Sequence, residues 1–193
     1  MSFINTSIVI CAFNEEKMLL SCLNSIKNNI CSQTKVTEII IVDNNSNDST
    51  SDIALKFIKE NNNDLLIRYL KIDHVPLTSS RNTAISYCKG SHIIFVDADA
   101  LVEKGWLVAI LSKFNENTPI VAGNVANLNT KSFFADLIYN SHYKWSKQHN
   151  KLIGANMAFK SSVFEFNNGF LGATGNRGDE TLFLKKYVKN NPD

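Results

Sequence analysis

The stretch Ser91–Ala100, SHIIFVDADA, constrains the fold of this chain more than any other segment. Its four consecutive apolar residues predict a short strand that is buried on both faces, as in a parallel sheet covered by helices. Asp97 and Asp99 follow at once, and side chains two residues apart in an extended chain point the same way. If strand geometry continues through Ala98, two carboxylates lie together at the carboxyl end of a strand, the edge where open α/β sheets bind ligands.

The acidic pair has two interpretations. Two carboxylates separated by one residue suit a hard cation that prefers oxygen ligands, retains waters and also binds phosphates. Aspartates are also common in solvated turns after buried strands, and the pair by itself favours that simpler interpretation. The rest of the chain favours a site.

The same order of strand, polar end and helix recurs earlier in the chain. Ser7–Cys11 and Thr37–Asp43 are apolar runs that end in polar residues, and each is followed by apolar residues at helical spacing. Leu65–Ile72 is less apolar and predicts a strand nearer the sheet edge. This repetition predicts a parallel sheet with right-handed crossover connections.

The start of the first helix is open to two interpretations. Apolar spacing predicts a helix over Glu15–Asn28, which Asn14 could cap while Glu15 and Glu16 occupy its first turn. The alternative is that these polar residues contribute to a ligand site.

A second helix is predicted over Ser79–Lys89, with Ser79 or Ser80 as its cap and Gly90 as a left-handed terminator. Arg81 lies in its first turn, where a cation opposes the helix dipole. Arg81 is therefore either an ordinary surface residue or a group that faces an anion together with the helix N-terminus.

The polar ends of three predicted strands are expected to meet at one edge of the sheet. They end at Asn14, Asp43 and Asp97. Carboxylates brought together without partners repel and raise one another's pKa. A divalent cation bridging to a diphosphate would remove this repulsion, and Asp43 could accept hydrogen bonds from a base or a ribose.

The second half of the chain is less regular. Trp106–Phe114 predicts a core helix, and Ile120–Ala126 and Met157–Lys160 predict strands. The aromatic segment Lys131–His149 predicts a helix that packs in the core or, alternatively, forms a surface that faces lipid or an acceptor.

The glycine-rich segment Gly172–Asp179 precedes an acidic pair and a predicted helix with Leu182, Phe183 and Tyr187 on its apolar positions. The acids could cap this helix, or one of them could act as a general base.

The composition narrows the classes of function. The chain has 193 residues, 44% hydrophobic and 20% charged, which suits one domain with a sizeable core. A net charge of +2 with scattered basic residues argues against a nucleic-acid partner. Four cysteines without a CxxC pair predict reduced core thiols in a cytosolic protein and argue against zinc. No apolar run approaches the roughly 20 residues of a spanning helix, so no transmembrane segment is expected, while peripheral membrane contact stays open.

Five segments occur in an order that resembles the family-two glycosyltransferases, the inverting class with a GT-A fold. They are CAFNEE, IVDNNSNDST, SSRNTAISYCKGSHIIFVDADA, GANMAFKSSVF and GDETLFLKK. The resemblance implies a three-layer α/β/α, Rossmann-like fold with a central, mostly parallel sheet. It also implies one catalytic domain over residues 1–193, with a nucleotide-binding half at 1–100 and an acceptor-binding half at 101–193. The chain would be either a short single-transfer enzyme or a catalytic fragment truncated at its C-terminus.

The resemblance also assigns site residues. Asp43 would read the base edge, and Arg81 would lie by the ribose and pyrophosphate. Asp99 and Asp97 would hold Mn²⁺ or Mg²⁺, with Asp99 the more direct ligand, and Asn156 and Met157 would border the donor sugar and acceptor. The residues expected to bind the nucleotide are Ala12, Phe13, Asn14, Glu15, Asp43, Asn45, Ser46, Arg81, Asp97 and Ala98.

The catalytic base is expected in the late acidic pair, where this chain departs from the family. The family carries Glu-Asp, whereas Asp179-Glu180 has the reverse order. Counting back from the helix favours Asp179, and counting forward from Gly178 favours Glu180. We take Asp179 as the predicted base and Glu180 as the alternative.

The implied function is inverting transfer of a sugar from a nucleoside-diphosphate sugar to an acceptor hydroxyl in glycan or cell-surface polysaccharide synthesis. A UDP-sugar is the favoured donor. The acceptor could be a glycan, a lipid-linked molecule or a protein. The expected location is the cytoplasm or the inner face of the membrane, and Phe133–Trp145 is the expected segment for membrane contact or homo-oligomer formation. The alternative is a degenerate or truncated domain that binds a nucleotide without transferring sugar.

Two other enzyme classes fit the residues less well. A nucleotidyltransferase needs a glycine-rich, basic loop after its first strand, where this chain has the acidic CAFNEE. A phosphoaspartate hydrolase needs an aspartate at the end of that strand, which is absent.

Overall fold

The structure is a computed structural model that describes residues 4–61, 65–126, 152–167, 169–170 and 179–191. The apolar runs form strands and the segments with helical spacing form helices. The strands are β1 (Asn5–Ala12), β2 (Lys35–Asp43), β3 (Ile67–Lys71), β4 (His92–Asp97), β5 (Ile120–Ala122) and β6 (Asn156–Lys160). The helices in these ranges are α1 (Leu19–Lys27), α2 (Thr50–Asn61), α3 (Leu77–Tyr87), α4 (Trp106–Leu111), α5 (Ser162–Asn167) and α6 (Asp179–Asn190).

The strands form one mixed sheet in the order β3-β2-β1-β4-β6-β5. β1 to β4 are mutually parallel, β6 runs antiparallel to β4, and β5 pairs antiparallel with β6. The sheet confirms the predicted parallel strands and the edge position of the third one. The register places Cys11 beside Asp97 and Ala12 beside Asp43, so these strand ends share one edge.

Apolar side chains cover both faces of the sheet, as near-continuous apolar strands require. On one face, alternate residues such as Ile8 and Ile39 pack with side chains of α1, α2 and α4. On the other, Val9 and Ile40 belong to a cluster that also contains residues of α3, α5 and α6. The layers are therefore α/β/α, as predicted.

A group of phenylalanines fixes α6 against the second face. Phe183 is fully buried, and its ring centroid lies 4.9 Å from that of Phe170 and 5.5 Å from that of Phe159. Burial of a phenylalanine contributes about 2–3 kcal/mol. This contact anchors the helix that begins at Asp179.

The starts predicted for the helices over residues 15–28 and 79–89 are both wrong. α1 begins at Leu19, its N-cap Met18 makes no side-chain capping bond, and Asn14 has a left-handed backbone with φ of 57°. Asn14 therefore caps no helix. α3 begins at Leu77 after Pro76, two residues earlier than Ser79, again without a side-chain cap.

Gly90 has a different role from the predicted left-handed terminator. Among the described glycines, the positive φ angles belong to Gly105 and Gly169. A Cβ at Gly90 would lie 2.4 Å from the backbone nitrogen of Ser7 and 2.8 Å from the carbonyl carbon of Thr6. The position needs glycine because two backbone segments approach closely there.

Other predictions hold in part. The strand predicted over Ile120–Ala126 ends at Ala122. Cys22 is buried, but Cys31 is exposed, so not all four cysteines are core thiols. Lys131–His149 and residues 172–178 lie outside the described residues. Within the described part of the chain, no helix has the length and apolar character needed to cross a membrane.

Candidate functional site

Two loops at the carboxyl edge are joined to each other by hydrogen bonds. The loop after β1 and the loop after β2 each contain an asparagine with a left-handed backbone, Asn14 and Asn45, a conformation that asparagine tolerates better than most residues. The cross-loop bonds run from Asn14 N–H to Ser46 Oγ (3.0 Å), Glu15 N–H to Thr50 Oγ1 (2.7 Å), Glu16 N–H to Asp48 Oδ2 (3.1 Å), Asn47 N–H to Asn14 Oδ1 (2.9 Å) and Ser49 N–H to Glu16 Oε2 (3.1 Å). These bonds hold residues 14–16, which precede α1, against the neighbouring loop.

Asp43 lies beneath these loops and is 0% exposed. Its Oδ1 accepts from Ser46 N–H at 2.8 Å, and its Oδ2 accepts from the hydroxyls of Tyr69, at 2.6 Å, and Ser51. Burial raises the pKa of Asp43, but these hydrogen bonds outweigh it and lower the pKa overall. Asp43 is thus an ionised group that organises the second loop, and its predicted contact with a base stays a prediction.

The acidic pair after β4 does not continue the strand. β4 ends at Asp97, and Ala100 N–H donates to the Asp97 carbonyl at 3.0 Å, which closes a turn around Ala98 and Asp99. The condition that strand geometry persists through Ala98 is therefore not met. Ala98 is buried at 3% exposure, whereas Asp99 is exposed.

Several carboxylates nevertheless lie within electrostatic reach of one another. Partial burial, followed by the charges of Asp99, Asp48 and Asp97, raises the pKa of Glu15. Repulsion at this edge therefore acts on Glu15, whereas the pKa of the strand-end acid Asp43 is lowered by its hydrogen bonds. Within the described ranges, no three His, Cys, Asp or Glu side chains form a group that could hold a metal ion.

Cys22 lies beneath the same acids. Its thiol donates to the Asp97 carbonyl at 3.5 Å, and burial, with Asp99, Asp97 and Glu15, raises its pKa to about 12. This thiol stays protonated, so it is a packing group rather than a nucleophile.

Arg81 links two acidic parts of the edge. It is only 2% exposed, which excludes an ordinary surface role. Its Nη1 lies 3.0 Å from Glu180 Oε1, its Nη2 lies 3.6 Å from Asp97 Oδ1, and its guanidinium lies 5.6 Å from the Phe170 ring centroid. Because α3 begins at Leu77, Arg81 lies in its second turn rather than in the predicted first turn, and from there it links the end of β4 to the start of α6.

Gly154 leaves room for this ion pair. A Cβ there would lie 2.2 Å from Glu180 Oε1 and 2.5 Å from Arg81 Nη2. The backbone at Gly154 therefore passes close to an ion pair of the protein.

Four further predicted residues have the following positions. Asn156 is buried; its Oδ1 accepts a hydrogen bond from Trp106 Nε1 at 3.0 Å, and its Nδ2 donates to the Asn124 carbonyl at 2.9 Å. Met157 is fully buried in the second core cluster. The predicted helix is confirmed as α6, but it begins at Asp179 and so contains the acidic pair instead of following it. Glu180 binds Arg81, and the Asp179 side chain lies outside the described part of the chain.

An exposed ring pair lies at this edge, of which Phe13 was a predicted nucleotide-binding residue and His74 was missed in the sequence. Phe13 is 44% exposed, and its ring centroid lies 4.5 Å from that of His74, which follows β3. His74 stands just after the third predicted strand, and that position was the one available signal.

The comparisons with known proteins agree with this architecture. The sequence model described as Glycosyl transferase family 2 matches residues 7–171. The chain is 27% identical over 204 residues to the glycosyltransferase GlyA of Streptococcus pneumoniae, an alignment that covers 94% of this chain and 28% of that protein. It is 28% identical over 165 residues to the poly(ribitol-phosphate) beta-glucosyltransferase of Bacillus spizizenii, covering 83% of this chain and 26% of that protein.

Solved structures share the fold. A mannosyltransferase of Pyrobaculum calidifontis, in complex with GDP-Man and Mn²⁺, superposes with a TM-score of 0.75 at 19% identity, covering 97% of this chain and 52% of that one. The glucosyl-3-phosphoglycerate synthase of Mycobacterium tuberculosis, in complex with UDP, gives 0.67 at 17% identity, covering 97% and 66%. The fold is therefore GT-A. The chain spans about a quarter of the length of the two curated relatives named above.

Proposed function

This chain belongs to glycosyl transferase family 2, and from that premise we propose that it transfers a sugar from a nucleoside-diphosphate sugar to an acceptor hydroxyl in glycan or polysaccharide synthesis. UDP-sugar is the proposed donor, and transfer inverts the anomeric configuration. The acceptor class, any membrane contact, the location in the cell and the oligomeric state stay predictions.

One observation carries the proposal. At the edge of the sheet where α/β proteins bind ligands, partial burial and then the repulsion of Asp99, Asp48 and Asp97 raise the pKa of Glu15. Such repulsion costs stability, and retaining it is typical of a functional site. A ligand that brings positive charge to this edge would relieve it.

The donor set fits a divalent cation of the Mn²⁺ or Mg²⁺ type. The available ligands are carboxylate oxygens, and Asp99 is exposed at the turn while Asp97 is partly exposed. Such a cation binds proteins through one or two carboxylates and takes its other ligands from waters and phosphates, so a group of three protein ligands is not required. When bound, it would supply charge stabilisation to the departing diphosphate.

The chain's own groups would bind and orient the substrates. The joined loops around Asn14 and Ser46 form the proposed nucleotide pocket, and Asp43 keeps the second loop in place. Arg81 holds Asp97 and Glu180 at a fixed separation through its two ion pairs. These ion pairs place the start of α6, which carries the proposed base, beside the end of β4, and such positioning is what a direct displacement needs.

The proposed base is Asp179, with Glu180 as the alternative. The base would take the proton of the acceptor hydroxyl, and the oxygen would attack the anomeric carbon on the face opposite the diphosphate. Asp179→Ala should therefore spare nucleotide binding and remove turnover. Normal transfer by Asp179→Ala, with loss in Glu180→Ala, would assign the base to Glu180.

Calorimetric binding tests the proposed function directly. UDP, GDP and CMP are titrated with and without Mn²⁺ into the wild type, into Asp99→Ala and into Glu60→Ala, a control at an exposed acid near the far end of α2. We expect one nucleotide to bind tightly with Mn²⁺, and Asp99→Ala alone to lose that metal dependence. No binding of any nucleotide by the wild type would reject the transferase proposal and favour a degenerate domain.

A further inference from the structure

The exposed ring pair of Phe13 and His74 is built into the proposed nucleotide pocket. The two ring planes are tilted by 43° at a centroid separation of 4.5 Å. Phe13 follows β1 and His74 follows β3, so the pair lies on either side of the strand end at Asp43. A large aromatic side chain left 44% exposed at a ligand edge offers a stacking surface, because burying it against a ligand regains hydrophobic free energy.

The position of His74 is fixed by its neighbours. The side chain of Asn44 brackets the next residue, donating to the Val75 carbonyl at 2.8 Å and accepting from Val75 N–H at 2.9 Å. Asn44 is buried, and its backbone N–H donates to the Ala12 carbonyl at 2.9 Å. The His74 ring is therefore held by the same loops that form the pocket.

One contact determines which ring nitrogen carries the proton. Nδ1 of His74 lies 3.3 Å from the backbone carbonyl oxygen of Asn44. A carbonyl oxygen only accepts hydrogen bonds, so Nδ1 must donate. In the neutral imidazole Nε2 is then an acceptor, and within the described parts of the chain it makes no hydrogen bond.

Asp43 is less available for the same role. It is 0% exposed, and both of its carboxylate oxygens already accept hydrogen bonds from Ser46, Ser51 and Tyr69. To reach a base it would have to give up one of these bonds and the loop would have to open. His74 is exposed and needs neither change.

We propose that His74 determines base selectivity, its Nε2 accepting a hydrogen bond from the ring N–H of the nucleotide base while Phe13 packs against the base face. The inference rests on the proposed function and names the group that reads the donor's base. The ligand class is a nucleoside diphosphate whose base has an N–H on the edge that faces His74, as uracil has at N3.

The test compares two ligands across matched variants. UDP and N3-methyl-UDP, in which the ring N–H is replaced, are titrated with Mn²⁺ into the wild type, His74→Phe, Asp43→Asn and Asp73→Asn. His74→Phe keeps a ring beside Phe13 and removes the acceptor, and Asp73→Asn changes the exposed neighbouring residue as a control. If the wild type binds GDP rather than UDP, GDP and N1-methyl-GDP take their place.

We expect the wild type and Asp73→Asn to bind UDP about three- to tenfold more tightly than N3-methyl-UDP, which is the contribution of one hydrogen bond to the affinity. His74→Phe should bind N3-methyl-UDP within about twofold of the wild type and lose the preference for UDP. Asp43→Asn should weaken both ligands and keep the preference.

Retention of the preference in His74→Phe, with its loss in Asp43→Asn, would overturn the inference and assign the contact to Asp43 while leaving the proposed function intact. Failure of the wild type to bind any nucleotide would instead overturn the proposed function, and the base contact with it. Because His74 is exposed, its variants should fold, which thermal unfolding checks.

Discussion

Glu38 lies in the amino-terminal half of β2 and Asp43 at its carboxyl end, and both are fully buried, but the protein neutralises them differently. Glu38 forms an ion pair with Arg68 and accepts hydrogen bonds from Ser7 Oγ at 2.7 Å and Lys89 N–H at 2.6 Å. Asp43 accepts its hydrogen bonds from the neutral groups described above. At the amino edge the buried Glu38 carboxylate is neutralised by the Arg68 cation. At the carboxyl edge the buried Asp43 carboxylate is stabilised by hydrogen bonds from neutral N–H and O–H groups.

The difference extends to the surroundings of each residue. Through these contacts the Glu38 carboxylate links β2 to β1, to β3 and to the segment before β4, and its charge is neutralised by Arg68. At the carboxyl edge, burial and then the charges of nearby acids raise the pKa of Glu15, and Arg81 pairs with one of these acids, Asp97. The buried acid of the amino edge is therefore paired with a cation, whereas the carboxyl edge keeps a charge imbalance that a ligand can relieve.

Glu38→Ala should give the largest loss of stability. The change removes the carboxylate that pairs with the Arg68 guanidinium, whose side chain is 24% exposed. It also removes the acceptor of the hydrogen bonds from Ser7 Oγ and Lys89 N–H. Removing one partner of a largely buried pair costs about 2–4 kcal/mol. Urea denaturation measures this loss, with Glu60→Ala as an exposed control that should change stability by less than about 0.5 kcal/mol. The nucleotide affinity of the folded variant should be unchanged. A loss of unfolding free energy below about 1 kcal/mol would contradict the proposed difference between the two edges.

Gly90→Ala tests the backbone packing of the amino edge. The added Cβ would meet backbone atoms of Ser7 and Thr6, which cannot rotate away, and we expect a loss of about 2 kcal/mol. Gly105→Ala is the matched control, because that position has a φ of +85° but no atom within 4 Å of the new Cβ. Backbone strain alone should cost about 1 kcal/mol there. Equal losses in the two variants, measured by urea denaturation, would argue against a close approach at Gly90.

Asp43→Asn should cost about 1–2 kcal/mol and, unlike Glu38→Ala, should also weaken nucleotide binding, since it loosens the second loop. The pKa of folded Asp43 lies below the ordinary value of 3.8, because the hydrogen bonds outweigh the effect of burial. Its ionised form therefore stabilises the fold above about pH 4, and this contribution is lost as the pH falls through the folded pKa. The difference in unfolding free energy between the wild type and the variant, measured by urea denaturation, should be largest at pH 7 and smaller at pH 3. A difference that grows on acidification would contradict the assignment.

The sequence was informative where one local pattern decides the structure. The apolar runs that form β1, β2 and β4 are long enough to predict buried parallel strands, and parallel strands necessarily end at one edge. That argument correctly brought Asp43 and Asp97 to the same side. The helix of α6 was likewise predictable from apolar spacing around Phe183.

The sequence was uninformative where a side chain chooses between distant partners. Asn14 has the residue type and position of a helix cap, but donors and acceptors of the neighbouring loop claim it instead. Arg81 could equally have been exposed, and only the arrival of α6 supplies Glu180 as its partner. Nothing in the residues around His74 reveals that its ring meets Phe13, because that contact depends on the order of strands in the sheet.

Glu15→Gln is the smallest predicted effect and the most direct test of charge imbalance at the carboxyl edge. Burial and the nearby acids raise the pKa of folded Glu15 above 4.5, so its ionised form destabilises the fold at pH values above the folded pKa, and this cost disappears as the pH falls through it. Because Glu15 is partly solvated, the variant should gain no more than about 0.5 kcal/mol at pH 7, and the gain should vanish near pH 4. Thermal unfolding at both pH values measures it, with Glu103→Gln as the control at an exposed acid. Mn²⁺ should stabilise the wild type more than the variant, since only the wild type has that repulsion to relieve. A variant less stable than the wild type at pH 7 would mean that the acids at this edge are compensated, as Glu38 is at the other.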